Sequence, residues 1–322
     1  MSSYFSRLKQ VYMGIIPIYP LGYIMVHGNF RIQYSTTKLV LSGFRGDQIW
    51  AKPYLDRSSM EPSEHLKELV EYEIDKMDRL RKAKFQVVLT DEMEPKVYGG
   101  LFLSSGAELQ FPLRMTLDDV ETARRIGANL EVDLGLSKHR RKVEVNSETG
   151  DELIARMMLS DAAKQFIVQR QLQIANSGEY FCAPILAWIG FSTMGYGVLN
   201  AVAIMAGPYI ATAAALGFTL TTFSQFSRYF EGYKTTKADE DTIKRGDEYL
   251  IGAIDYFEST MKLNRLYRRV LGEEGEKRIA RNGDNEEDTV KLSSRLREVR
   301  KLKKQMNQEE KLLNEQEENK EH

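Results

Sequence analysis

The 322-residue chain has one cysteine, Cys182. No intramolecular disulfide can form, which excludes the small disulfide-stapled secreted scaffolds. Cys182 keeps two readings, a small buried thiol or a redox group. Histidine is equally sparse. His27, His65, His139 and His322 are too scattered to make a local zinc motif such as HExxH. No phosphate loop or dinucleotide glycine fingerprint is present. Gly99-Gly100 inside a strand pattern reads as a bulge or a close backbone approach. Ser104-Ser105-Gly106 has no nucleophile-elbow context. The acid pair Glu71 and Asp75 falls on the polar face of a helix and reads as solvated surface. No catalytic residue, cofactor site or metal site is therefore assigned. The net charge of −1 gives no reason to expect nucleic-acid binding.

Two further absences are local. No acid precedes Asp47, whereas Arg7, Lys9, Arg31, Lys38 and Arg45 do. A basic, acid-free, Ser-containing start over 1–46 has the character of a mitochondrial targeting segment. Within it, Val11–Val26 is an uncharged run of 16, interrupted by Pro17 and Pro20. That is short of the ~20 apolar residues a bilayer helix needs. Three readings stay open: a membrane-associated or spanning segment, a secretory signal, or part of the folded domain.

The second charge gap is longer. From Tyr180 through Ser227 there is no Asp, Glu, Lys or Arg. Gly207-Pro208 divides it, and Pro cannot continue a helix without losing a hydrogen bond. Backbone polar groups in lipid must be satisfied internally, so the gap reads as a transmembrane helical hairpin over 180–227. A buried soluble hairpin would be expected to show a polar face. Gly190, Gly195, Gly197 and Ala201 on the first helix, with Ala211 and Ala215 on the second, have the small side chains that let membrane helices approach closely. They serve either the hairpin itself or a partner helix, and Asn200 is expected to hydrogen-bond across helices. Arg170 before the gap, and Arg228, Lys234 and Lys237 after it, place both flanking portions inside by the positive-inside tendency.

The flanks read as an α+β domain over 60–178 and an amphipathic helical region over 228–283. Leu66, Leu69, Val70, Ile74 and Met77 predict a helix over Glu61–Lys84. Phe85–Thr90, Val97–Leu103, Glu108–Met115, Leu130–Gly135, Val143–Val145 and Leu153–Leu159 are strand candidates. A capping box at Thr116 and Asp119 predicts a short helix ending at Gly127. Ser160 caps a helix over Asp161–Ala175, with Phe166, Ile167, Arg170 and Ile174 on one face. A single helix is expected over Asp239–Val270. The tail, 284–322, is basic over Lys291–Lys304 and acidic over Glu309–Glu321. The blocks either pair with each other, form a short coiled coil, or make a solvated helix. Lys138, His139, Arg140, Arg141 and Lys142 form a basic patch that suits a solvated loop, anionic lipid heads or RNA.

Three segments carry a family resemblance: Gly150–Leu172 (GDELIARMMLSDAAKQFIVQRQL), the hairpin, and Asp255–Lys277 (DYFESTMKLNRLYRRVLGEEGEK). Within the last, Leu271-Gly272 and Gly275-Glu276-Lys277 are the most distinctive. In these the chain resembles the transmembrane protein 177 family over about residues 85–283, with the tail after Asn282 outside the likeness. The resemblance implies the inner mitochondrial membrane and a non-catalytic part in biogenesis of cytochrome c oxidase, beside the assembly chaperone of its subunit 2. A fainter resemblance, in layout alone, is to HtpX-type membrane metallopeptidases. It implies a degenerate zincin-like fold, with Gln169-Arg170-Gln171-Leu172-Gln173 where zinc histidines would stand and Glu231 near the later acid. The alternatives to an assembly factor are an inactive metallopeptidase-like protein and a lipid- or partner-binding scaffold.

Overall fold

The computed structural model describes residues 2–28, 61–77, 83–90, 93–127, 131–132, 141–142, 144 and 146–321. Residues 29–60, residues 78–82 of the stretch expected as helix over Glu61–Lys84, and Lys138, His139 and Arg140 of the basic patch lie outside the described residues. So do Leu130, residues 133–135, Val143 and Val145 of two strand candidates.

Two short helices open the chain, α1 (Ser2–Ile15) and α2 (Ile18–Gly28), with the break at Pro17. Then α3 (Glu64–Asp75) begins, where the Ser63 side chain accepts from the Leu66 N–H. Pro62 therefore precedes the helix. Three strands follow: β1 (Phe85–Thr90), β2 (Lys96–Gly99) and β3 (Ala107–Pro112). Their order is β1-β3-β2, with β1 parallel and β2 antiparallel to β3. Val87 and Val97 flank Leu109 in register. The expected strand over Val97–Leu103 stops at Gly99, whose φ of 75° turns the chain. A Cβ on Gly106 would lie 2.2 Å from the Lys84 carbonyl oxygen, so the chain returns to β3 through a contact only glycine allows. The expected strand over Glu108–Met115 likewise ends early, its last residues forming a 3-10 turn over Leu113–Thr116.

The helix α4 (Val120–Gly127) is capped by Asp119, which accepts from the Thr122 N–H. Thr116 instead accepts from the Ser63 N–H. Two-residue strands β4 (Glu131–Val132) and β5 (Arg141–Lys142) pair antiparallel. The expected strand Leu153–Leu159 is overturned. Those residues sit mostly in α5 (Glu148–Met157), which Ser147 caps through the Gly150 N–H. Leu153, Ile154 and Met157 have helical spacing and are buried, so the apolar run was a helix face.

Next come α6 (Asp161–Asn176), capped by Ser160, and α7 (Gly178–Ala206), capped by Ser177. After Gly207 at φ 82°, α8 runs from Pro208 to Ile243 without interruption. The single helix expected over Asp239–Val270 is thus two. The chain turns at 244–246, where Arg245 and Gly246 N–H groups donate to the Thr242 and Ile243 carbonyls. There follow α9 (Asp247–Leu271), α10 (Glu273–Arg278) and α11 (Leu292–Glu321).

Two cores stabilise the polar portion. The larger joins α3 (Leu66, Val70), the sheet (Leu109, Phe111), α6 (Phe166, Ile167), α9 (Tyr256, Phe257) and the start of α11 (Leu292, Leu296, Val299). The smaller joins α4, α5 and the end of α9 through Ala123, Ile154, Leu263 and Leu266. Where α6 crosses α9, a Cβ on Gly252 would lie 2.1 Å from the Ala162 carbonyl oxygen. Gly252 is there because the two backbones touch. The resemblance-carrying turn has a similar basis: Gly272 has φ 62°, Gly275 packs on the Arg268 carbonyl, and Arg268 donates back to Ile279.

Candidate functional site

Above these cores stands a separate apolar layer. α7 and α8 pack antiparallel along their length, and α1 and α2 lie against them. α7 alone, among the described residues, is long and apolar enough to cross a membrane by itself. The apolar half of α8 is diluted by Thr212, Thr219, Thr221 and Thr222. Thr212 and Thr222 donate to the Pro208 and Phe218 carbonyls of their own helix, which satisfies a hydroxyl without water.

The N-terminal helices lie along this pair from tip to base. Phe5, Val202 and Ala203 pack against one cluster with Tyr12, Leu199, Ala211 and Ala215. Tyr12, 3% exposed, donates to the Ser192 carbonyl at 3.0 Å and shares a 2.8 Å hydrogen bond with the Thr219 hydroxyl. Trp188 donates through Nε1 to the Ile16 carbonyl. Tyr19 packs tilted against Trp188 and edge-on against Phe223, and Tyr23 meets Phe181 edge-on at the base.

The small residues picked from sequence divide into two groups. Gly195, Ala211 and Ala215 are buried in the bundle. A Cβ on Gly195 would sit 2.2 Å from both the Tyr12 and Thr219 oxygens, so this glycine makes the notch that receives Tyr12. Gly190, Gly197 and Ala201 are exposed on α7, and neither of those glycines has anything within 4 Å of a built Cβ. Asn200, expected to reach across helices, donates to the Tyr196 carbonyl one turn back on its own helix. Cys182 is exposed rather than buried. Around the outward glycines Met194, Ile204, Met205, Tyr209 and Ile210 are exposed, Ile204 to 88% and Met205 to 87%.

Beneath the layer, the sequence reading missed a buried ion network. Arg295 of α11 makes a two-pronged pair with Asp239 of α8, Nε to Oδ2 at 2.7 Å and Nη2 to Oδ1 at 3.0 Å. Its Nη1 donates to Glu94 at 3.1 Å. Arg170 of α6 places Nε 2.7 Å from Asp239 Oδ1, a close ion pair without a well-aligned hydrogen bond, and Nη1 3.9 Å from Glu94. Arg170, Asp239 and Arg295 are all buried. Burial opposes the charge on Arg295, but Asp239 and Glu94 outweigh it and hold its pKa above the ordinary arginine range. The same guanidinium lies 4.5 Å over the Phe257 ring. Nearby, burial and the Glu94 charge push the Asp288 carboxyl up to about 6. A signal for this network was in the sequence. Arg295 interrupts the stripe Leu292, Leu296, Val299, and Arg170 shares the apolar face of α6.

A second buried acid, Glu73, accepts from Tyr249 at 2.7 Å, Gln165 at 2.9 Å and Lys76 at 3.1 Å. With their amides turned to suit their neighbours, Gln169 donates to Glu73 at 3.0 Å, and Gln169 and Gln173 both accept from Arg245. The α6 stretch likened to a zinc motif is thus occupied in holding side chains. Glu231, likened to the later acid, pairs instead with Lys234 at 2.7 Å on the surface. On α8 the carboxylate that faces α6 is Asp239, two turns further on. No group of three or more His, Cys, Asp or Glu able to hold a metal occurs among the described residues.

Comparison with known proteins bears on this apolar layer and the domain under it together. The model of the family described as Transmembrane protein 177 matches residues 10–317. The chain belongs to the transmembrane protein 177 family. The match extends through most of the charged tail, which the likeness over 85–283 had left out. A human relative, Transmembrane protein 177, is 26% identical over 155 residues, covering 45% of this chain and 49% of the relative. The chain thus spans about half the length of that curated relative. No solved structure matches the chain. Family membership makes this a membrane protein, with α7 as a candidate membrane-crossing helix.

Proposed function

We propose that this protein is a non-catalytic assembly or stabilising factor of the inner mitochondrial membrane. By family resemblance, its cargo is cytochrome c oxidase subunit 2, handled together with that subunit's assembly chaperone. In this reading α7 and α8 cross the bilayer as a hairpin, and α1 with α2 crosses beside them. The Gly207 turn, which carries no charge, reaches the far side. The polar domain faces the matrix, in keeping with Arg228, Lys234 and Lys237 where α8 leaves the apolar layer.

The observation that carries the proposal is the uncovered face of α7 bearing Gly190, Met194, Gly197 and Ala201. Glycine and alanine there leave a shallow track, and a partner helix gains van der Waals contact by lying in it. The opposite notch at Gly195 is already filled by Tyr12, so α7 packs a neighbour on one side and presents the other. α8 continues in one piece from this layer to Asp239, so a helix docked on the layer is mechanically tied to the domain.

The test replaces Gly197, and separately Gly190, by Leu, which adds bulk where nothing in the fold stands within 4 Å. Co-purification of subunit 2 and its chaperone from mitochondria is expected to fall for both variants while protein level and carbonate resistance stay unchanged. Undiminished co-purification and normal subunit 2 levels would overturn the proposal. Release of the unaltered protein by carbonate would overturn its membrane part.

A further inference from the structure

The charged tail is one continuous helix, α11, of 30 residues, about 45 Å at 1.5 Å per residue. Its charge is divided end to end. Residues 291–304 hold seven basic residues and one acid, and residues 307–322 hold six acids and two lysines. In a flexible tail these halves could fold onto each other. In an unbroken helix they cannot, because the rod holds them apart. The first half is also fixed in place: Leu292, Leu296 and Val299 are buried in the larger core, and Arg295 is tied to Asp239.

Beside that fixed half runs an open groove of about 680 Å3. Met261 and Leu296 line it with four cations, Arg297, Arg300, Lys301 and Lys304. Arg300 reaches Glu258 at 2.7 Å and Lys301 lies 4.0 Å from Glu298. Among the described residues, Arg297 and Lys304 have no carboxylate within 4 Å. A groove with an apolar base and a surplus of cations suits an acidic amphipathic helix.

We infer that the occupant is the acidic half of α11 from a second copy of this chain, with the two helices antiparallel about a two-fold axis near residue 307. Charge complementarity selects this occupant. A symmetric pair satisfies both halves of both helices at once, since whatever residue i meets on the partner is met in return. Any other acidic partner fills the groove but leaves this chain's own acidic half unpaired.

The experiment uses the full-length protein in detergent, expressed as two differently tagged copies. Capture through one tag reports the other. One variant carries Arg297→Glu, Arg300→Glu and Lys304→Glu; the other carries Glu310→Lys, Glu315→Lys and Glu317→Lys. Arg295 and Asp239 are left intact, and circular dichroism checks the fold of each variant. Wild-type copies are expected to capture each other, less so as salt is raised. Each variant paired with itself should lose capture by about a hundredfold, because like charges then face each other across the interface. Mixing the two variants should restore it. Wild-type copies that remain monomeric, or capture that survives both charge reversals, would overturn the inference. So would loss in each variant without restoration on mixing, which would assign the groove to an acidic partner other than this chain.

Discussion

Replacing Asp239 by Asn removes the acid that holds two buried arginines. Arg170 and Arg295 are 3% and 4% exposed, so water cannot take over the lost charge. Glu94 remains, 3.1 Å from Arg295 and 3.9 Å from Arg170, but its side chain is 39% exposed and it cannot neutralise both. Removing one member of a buried ion network leaves uncompensated charge and costs about 3–5 kcal/mol. Against a typical total of about 5–15 kcal/mol, that is a large fraction. The cost should concentrate at the junction of α6, α8 and α11. Denaturant unfolding of the full chain in detergent measures the total. Limited trypsin digestion measures the local effect, because α11 carries several Arg and Lys sites that docking protects. The D239N variant is expected to lose at least 3 kcal/mol or so and to release α11 early. Adding Arg295→Met should recover part of the loss, since an apolar side chain there no longer needs a counter-charge. A D239N protein as stable as wild type, with α11 equally protected, would refute the assignment of this network as the clasp between the hairpin and the tail.

Further outcomes follow from single contacts. Gly252→Ala should destabilise by about 1–3 kcal/mol, read as a lowered unfolding midpoint, because its Cβ meets the Ala162 carbonyl. Gly195→Leu should unseat Tyr12 and expose the N-terminal helices to protease, whereas Gly197→Leu should leave them protected. Asp288 has a folded pKa of about 6 against an ordinary 3.8, so it favours the fold when protonated. That contribution is full below about pH 4 and is lost as pH rises through 6. Asp288→Asn should therefore raise the unfolding midpoint at pH 7.5, with the gain over wild type shrinking as pH falls from 6 toward 4.

The sequence alone determined where the apolar layer lies. A stretch of 48 residues without charge, divided by Gly-Pro, admits few structures other than two packed helices. The helix cap at Ser160 was equally legible, because a cap is a local hydrogen-bonding arrangement. Strand against helix for Leu153–Leu159 was not, since a short apolar run fits both and only its packing against the end of α9 decides. Nor could sequence separate the small residues that pack within the bundle from those that face outward. Gly195 and Gly197 are two positions apart on one helix, and only the position of Tyr12, some 180 residues away in the chain, distinguishes them. The ion network had the same character. Arg170, Asp239, Arg295 and Glu94 come from four separate segments, and although Arg170 and Arg295 each stand on an apolar stripe, their pairing with Asp239 and Glu94 is made only by tertiary packing. Periodicity and caps act over a few residues and can be read from them. Desolvation and charge pairing are set by whatever the fold brings close, and that was settled only in three dimensions.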